Sequence, residues 1–142
     1  MNIVALIVCY LIGSINFAYL VAKYKKINIQ EIGSGNPGSS NVLRALGRNY
    51  AIVVLLGDLF KGVVPFLLFG IQTESIIYGV MAAIGHCFPI FYKFKGGKGV
   101  ATYLGILFAI NIYFGLIFIL GLESGVTPVS YTHLTLPTIL LV

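Results

Sequence analysis

Charge is scarce in this chain. Only 9% of its 142 residues are charged, against 58% that are hydrophobic, and the mean hydropathy is +0.99. That balance excludes a soluble domain and places the protein in a bilayer. No separate basic domain exists to carry a nucleic-acid module, so the net charge of +5 implies no nucleic-acid partner. Cysteine is nearly absent. Cys9 and Cys87 both sit in apolar surroundings without CxxC spacing, which argues for buried packing and against a disulfide or a metal site. A cleavable leader also lacks its marks: no basic residue precedes the first apolar run and no small-residue cleavage site follows it.

What is present is long apolar sequence. Uninterrupted runs near Ile3–Ala22, Tyr50–Gly70, Ile76–Phe91 and Val100–Leu122 predict an all-α, polytopic membrane bundle of about four spans, each near the ~20 residues a crossing helix needs. The third run is short and carries Gly85, His86 and Pro89, so its inner end is expected to leave regular helix inside protein rather than lipid. Cations set the orientation. Lys23, Lys25, Lys26, Arg44 and Arg48 share one connection and Lys93, Lys95 and Lys98 another, which makes both cytoplasmic. The connection Ile71–Ser75 holds Glu74 and no cation, so it and the amino terminus face outside.

The first cytoplasmic connection contains "EIGSGNPGSSNVLRALGR", Glu31 to Arg48. Between Gly33 and Asn41 there is no acid. Glycines let backbone N–H groups converge on an anion, Ser34, Ser39 and Ser40 add donors, and Arg44 offers a planar fork suited to two phosphate oxygens. A polar connector is the plainer reading of such a loop. The second connection, "GHCFPIFYKFKGGKGVAT", places Gly96, Gly97, Lys98 and Gly99 directly before a helix opening at Val100. Unpaired N–H groups and the positive end of the helix dipole favour an anion there, with Lys98 beside it. It is not a Walker loop, since Tyr92 stands where the first glycine belongs and no strand precedes it. Its plainer reading is a flexible turn with a snorkelling lysine.

Inside the spans, Asp58 and Lys61 share a helix face at i and i+3. Each costs roughly 2.5–3.5 kcal/mol at a helix centre, so the two should face protein and pair, either as a structural ion pair or at a substrate. Ser14 and Asn16 are read as interhelical hydrogen-bonding groups. A structural role is preferred for His86, because no carboxylate is near it in sequence to orient it.

Together "GSGNPGSSNVLRALG", "DLFKGVVP" and "GHCFPIFYKFKGGKGVAT" resemble, in order, the signatures of the bacterial membrane glycerol-3-phosphate acyltransferases that use acyl phosphate as donor. The resemblance covers about residues 3–122, and the expected membrane acyltransferase domain, incomplete, is residues 1–122. Ser39 and Ser40 stand where the family usually has Ala-Thr, and Asn16 stands where a proline is common. A later family motif with histidine, asparagine and glutamate is missing. The resemblance implies acyl transfer from acyl phosphate to glycerol 3-phosphate, giving lysophosphatidate and phosphate on the cytoplasmic face of a bacterial inner membrane. It implies no cofactor or metal, and as partners the two substrates, membrane lipid and an enzyme that makes acyl phosphate. By motif position Ser34, Arg44 and Lys98 take catalytic roles. Gly35, Asn36, Ser40, Asn41, Lys61, Gly96, Gly97 and Gly99 take substrate or phosphate contacts, and Asp58 and His86 stay open between structural and catalytic roles. A small anion transporter and an inactive fragment of the enzyme are the alternatives. A transporter would call for internal repeats or interrupted helices, and the sequence suggests none.

The end of the chain has a different texture. "VSYTHLTLPT", Val129 to Thr138, resembles a translated sequencing adaptor. Residues 129–142 are therefore expected to be non-native, with a junction at 123–128, and His133 is not a site candidate.

Overall fold

The computed structural model describes residues 2–124; the adaptor-like tail and most of its junction lie outside them. The described residues form seven α-helices and no strand: α1 (Ile3–Ser14), α2 (Phe17–Tyr24), α3 (Ser39–Leu46), α4 (Arg48–Phe69), α5 (Thr73–Cys87), α6 (Val100–Ile110) and α7 (Ile112–Ser124). Three stretches are long and apolar enough to cross a membrane: Ile3–Tyr24, Arg48–Phe69 and Thr73–Tyr92. The all-helical membrane architecture read from composition is therefore present, with differences in how the runs are divided.

The first run is two helices in line. An interrupted helix is thus present where none was expected from the sequence, and its absence no longer counts against a transporter. Ile15 is extended, and Asn16 starts α2 by accepting the Tyr19 N–H at 3.1 Å while its Nδ2 donates to the Pro37 carbonyl at 3.3 Å. Ser14 donates to the Tyr10 carbonyl one turn back within α1, at 2.9 Å. Neither residue bridges two membrane helices as expected: one closes on its own helix and the other is a cap that also ties down a loop. A break at this depth is tolerated only where protein supplies the missing partner. That partner is Lys61, whose Nζ donates to the Ile15 carbonyl at 2.8 Å.

The third run leaves regular helix at its inner end, as expected. Helix α5 passes through Gly85 and His86, ends at Cys87, and after Phe88 and Pro89 is followed by one 3₁₀ turn at Ile90–Tyr92. The fourth run is not one span. Asn111 interrupts it, leaving the helix with φ −163° and ψ 132° and accepting the Tyr113 N–H at 2.8 Å to begin α7. Helix α7 then folds back on α6, with Tyr103 edge-on to Phe118 at 5.4 Å between ring centroids. One asparagine in an apolar run is enough, because its side chain replaces a lost backbone partner.

Helices meet through glycine. At the α1–α5 crossing a Cβ on Gly13 would lie 2.0 Å from the Ala82 carbonyl oxygen, and one on Gly85 would lie 2.2 Å from that of Tyr10. At the α4–α6 crossing a Cβ on Gly62 would lie 2.1 Å from the Thr102 carbonyl oxygen, and one on Gly105 would lie 2.0 Å from that of Leu59. Lipid offers no hydrophobic drive for association, so such close backbone approach supplies the packing energy. At the loop end of the bundle a separate core gathers Ala18 and Ala22 of α2, Ile29, Val42 of α3, and Ala51 and Val54 of α4. It fixes the first polar connection against the membrane helices.

Gly13→Ala places a methyl group against the α5 backbone, which cannot yield as a side chain can. We expect a loss of about 1–3 kcal/mol, read as a lower thermal midpoint in detergent micelles. Val53→Ala, trimming a lipid-facing side chain of α4, should change the midpoint little.

Candidate active site

The two polar connections come together at the ends of α3, α5 and α6. The first is shaped by Asn41, which is fully buried. Its Nδ2 donates to the carbonyls of Ile29 (3.1 Å) and Ile32 (2.9 Å), and its Oδ1 accepts the Ser34 N–H at 3.1 Å. Gly33 and Gly35 adopt positive φ of 57° and 70° inside this stapled turn. The side chain of Asn41 is thus committed to the loop, which corrects its assignment as a substrate contact.

The second connection is anchored by His86. The Gly97 N–H donates to the His86 carbonyl at 3.2 Å, so this amide is not free for an anion, contrary to expectation. Gly97 is required for a different reason: a Cβ there would lie 2.2 Å from His86 Nε2. Gly99 closes the loop with φ 79° and caps α6, where Val100 opens the helix. Lys98 is exposed beside that opening.

Asp58 of α4 organises the buried charge below. Lys61 Nζ lies 2.8 Å from Asp58 Oδ1, and His86 Nδ1 lies 3.5 Å from the same oxygen. All three side chains are almost wholly buried. The contacts are charge contacts rather than aligned hydrogen bonds, and Asp58 Oδ1 and His86 Nδ1 have no aligned partner. His86 does have a carboxylate beside it, one that sequence distance concealed. Lys61, expected as a phosphate contact, has its ammonium between Asp58 and the Ile15 carbonyl and does not line the three cavities described below.

Three cavities lie in a row, each sharing lining residues with the next. A polar cleft of about 400 Å³ is lined by Gln30, Ser34, Gly35, Asn36, Pro37, Lys95 and Gly96. Asn36 is shared with a small cavity of about 20 Å³, room for roughly one water molecule, bounded by Ser39, Asp58, His86, Lys98 and Gly99 among others. Lys98, Gly99 and Val100 in turn belong to an apolar groove of about 440 Å³, whose walls include Ile84, Phe88, Tyr103 and Phe118. Of the expected site residues, Ser34, Gly35, Asn36 and Gly96 line the cleft, and Lys98 and Gly99 line the small cavity and the groove. Ser40 and Arg44 do neither: they lie one turn apart on α3, Arg44 exposed, and line none of the three. Gln30 and Lys95 were overlooked in sequence, although Lys95 adjoins the glycine run. Ser39, counted there only as a further donor, reaches the small cavity.

These features define a helical membrane protein in which an apolar groove at a glycine-capped, cationic helix start is linked through a small cavity to a polar cleft. The model of the family described as "Glycerol-3-phosphate acyltransferase" matches residues 3–141, and the chain belongs to that family. A glycerol-3-phosphate acyltransferase of Aquifex aeolicus (strain VF5) is 44% identical over 110 residues, 74% of this chain and 57% of the relative. One from Pelagibacter ubique (strain HTCC1062) is 48% identical over 115 residues, 79% of this chain and 60% of the relative. The crystal structure of PlsY (YgiH), an integral membrane glycerol 3-phosphate acyltransferase, aligns in its glycerol 3-phosphate form with a TM-score of 0.76 at 38% identity. That alignment covers 86% of this chain and 63% of PlsY. Its lysophosphatidic acid form gives 0.74 at 40%, covering 84% and 62%. This chain thus spans 57% to 63% of the length of these relatives.

Asp58→Asn strands a buried ammonium. We expect a cost of about 3–5 kcal/mol, measured as loss of thermal stability in detergent. Asp58→Leu with Lys61→Met should regain most of it, though not all, because the Ile15 carbonyl then lacks its donor. Equal instability of the single and double variants would show that charge balance is not the reason.

Proposed function

We propose that the protein transfers a fatty acyl group from acyl phosphate to the 1-hydroxyl of glycerol 3-phosphate. The observation that carries this reading is a row of three cavities: an apolar groove shares Lys98 and Gly99 with a small cavity, which in turn shares Asn36 with a polar cleft. An acyl phosphate has an apolar tail and an anionic head, and the groove and the α6 start offer one environment for each. The polar cleft on the far side of Asn36 suits a small polyol phosphate. Two solved forms of PlsY, named for glycerol 3-phosphate and lysophosphatidic acid, support the acceptor and the product of this reaction.

The reaction follows from the donor's own reactivity. The glycerol oxygen attacks the acyl carbon, the bond from that carbon to the phosphate oxygen breaks, and the hydroxyl proton passes to the departing phosphate. No covalent intermediate on the protein is required. Cys87 lines the groove, but no hydrogen bond joins it to a base among the described residues, so the activation that nucleophilic catalysis needs is missing. The protein's part is positioning and charge stabilisation: Lys98 and the α6 amides for the donor phosphate, Ser34 and Asn36 for the acceptor. Arg44 follows Ser40 by one turn on the same α3 face and extends toward a phosphate at the cleft mouth, where its fork can engage two oxygens. Asp58 and His86 hold the loop from beneath. Both loops face the cytoplasm at the inner membrane of a bacterium, where an acyl-phosphate-producing enzyme supplies the donor.

Membranes carrying the protein, given acyl phosphate and radiolabelled glycerol 3-phosphate, should form lysophosphatidate. Lys98→Ala should reduce the rate about 10²-fold or more, and Lys93→Ala, at the headgroups, less than about twofold. Phosphate flux into vesicles without acyl transfer would overturn this reading in favour of a transporter. Arg44→Lys keeps the charge but loses the fork. It should lower turnover about tenfold or more at unchanged membrane content, and near-normal turnover would remove Arg44 from the site.

A further inference from the structure

A cavity outside the candidate site opens where the first span ends. It measures about 570 Å³ and is lined by Tyr19, Leu20, Ala22, Lys23, Lys26, Ile27, Asn28, Ile29 and Tyr92. The span Ile3–Tyr24 has 22 residues, roughly 33 Å of helix, so Lys23 and Lys26 fall at the level of lipid headgroups. Neither lysine has a carboxylate partner among the described residues. Glu31, the acid on this connection, accepts instead from Asn28 Nδ2 at 2.7 Å. Lys26 holds a left-handed backbone with φ 56°, a conformation that costs a lysine roughly 1–2 kcal/mol. Lys25, between them, is directed elsewhere, with its ammonium 4.6 Å from the centre of the Tyr50 ring.

One wall of the cavity is rigid. Tyr19 and Tyr92 stack at 4.3 Å between centroids, and the Tyr19 hydroxyl donates to the Lys95 carbonyl at 2.9 Å while accepting from Gln30 Nε2. Gln30 and Lys95 line the polar cleft on the other side. The cavity and the cleft are thus back to back across one hydrogen-bonded partition.

We propose that this cavity binds the phosphate-bearing headgroup of an anionic membrane lipid. Lys23 and Lys26 meet the phosphate, and Leu20, Ile27 and the tyrosine pair meet the glycerol and first methylenes. A free phosphate ion shares the lysine chemistry, but it leaves the apolar wall unused. The combination of paired cations with an apolar wall at headgroup depth therefore selects a lipid.

The experiment places the protein in phosphatidylcholine nanodiscs doped with phosphatidate and counts retained phosphatidate by native mass spectrometry. Lys23→Gln with Lys26→Gln should weaken retention roughly 30-fold, from about 1 kcal/mol for each cation near an anionic headgroup. The charge-matched pair Lys25→Gln with Lys93→Gln should change it less than about threefold. Equal losses in the two pairs would reduce the site to general surface charge and overturn the proposal. Displacement of the lipid by inorganic phosphate or glycerol 3-phosphate at millimolar concentration would also overturn it, by showing a site for soluble phosphate. Retention is read without acyl transfer, and Lys98→Ala should keep it, so failure here and failure of the acyltransferase reading are separable.

Discussion

The lysine–carbonyl contact between Lys61 and Ile15 is the constraint on which the site depends. A helix interrupted inside a membrane exposes a carbonyl that lipid cannot satisfy. An ammonium satisfies it, yet an ammonium at that depth needs an anion, and Asp58 supplies one. Asp58 in turn stands beside His86, whose own carbonyl holds the Gly97 amide. Each group in this chain answers the desolvation of the one before it. The sequence continues from the break in the first span to the glycine loop, through α4 and α5. Its worth lies less in net stability, which buried ion pairs rarely supply, than in allowing only one relative placement of these elements.

Close glycine crossings complete that placement. Backbones that touch at Gly13, Gly85, Gly62 and Gly105 have little freedom to slide, because each contact is with a carbonyl rather than a side-chain tip. The ends of α5 and α6 are therefore held at fixed height, and the loop between them inherits the position. Lys98 stands between the apolar groove and the small cavity because two helix pairs and one ion cluster leave the intervening loop a single course.

Much of this was legible in the sequence, and the boundary between what was and what was not is physical. Hydropathy reports burial in lipid, so the membrane class and the three longer spans could be read from it. Spacing of three along a helix reports a shared face, so the Asp58–Lys61 pair could be read too. His86 as their neighbour could not, since nothing in a single sequence encodes a contact between two helices. Asn16, Asn41 and Asn111 were misread or passed over for one shared reason. An asparagine side chain mimics backbone, and whether it caps a helix, staples a loop or contacts a ligand depends on which backbone groups its surroundings leave unpaired. The free amide assigned to Gly97 failed similarly, because its acceptor is a carbonyl at the end of another helix.

The short length of α6 has a consequence for the bilayer itself. A helix of 11 residues is roughly 16 Å long, against a hydrocarbon core of about 30 Å. Where α6 faces lipid, tails in one leaflet meet its end rather than its flank, and the membrane must thin or its lipids must tilt to keep that end covered. A groove walled by so short a helix would open into a leaflet deformed in this way wherever lipid is its neighbour. Access along it becomes a property of membrane thickness and acyl-chain order as well as of the residues in its walls, and a thicker, more ordered bilayer raises the elastic cost of keeping it open.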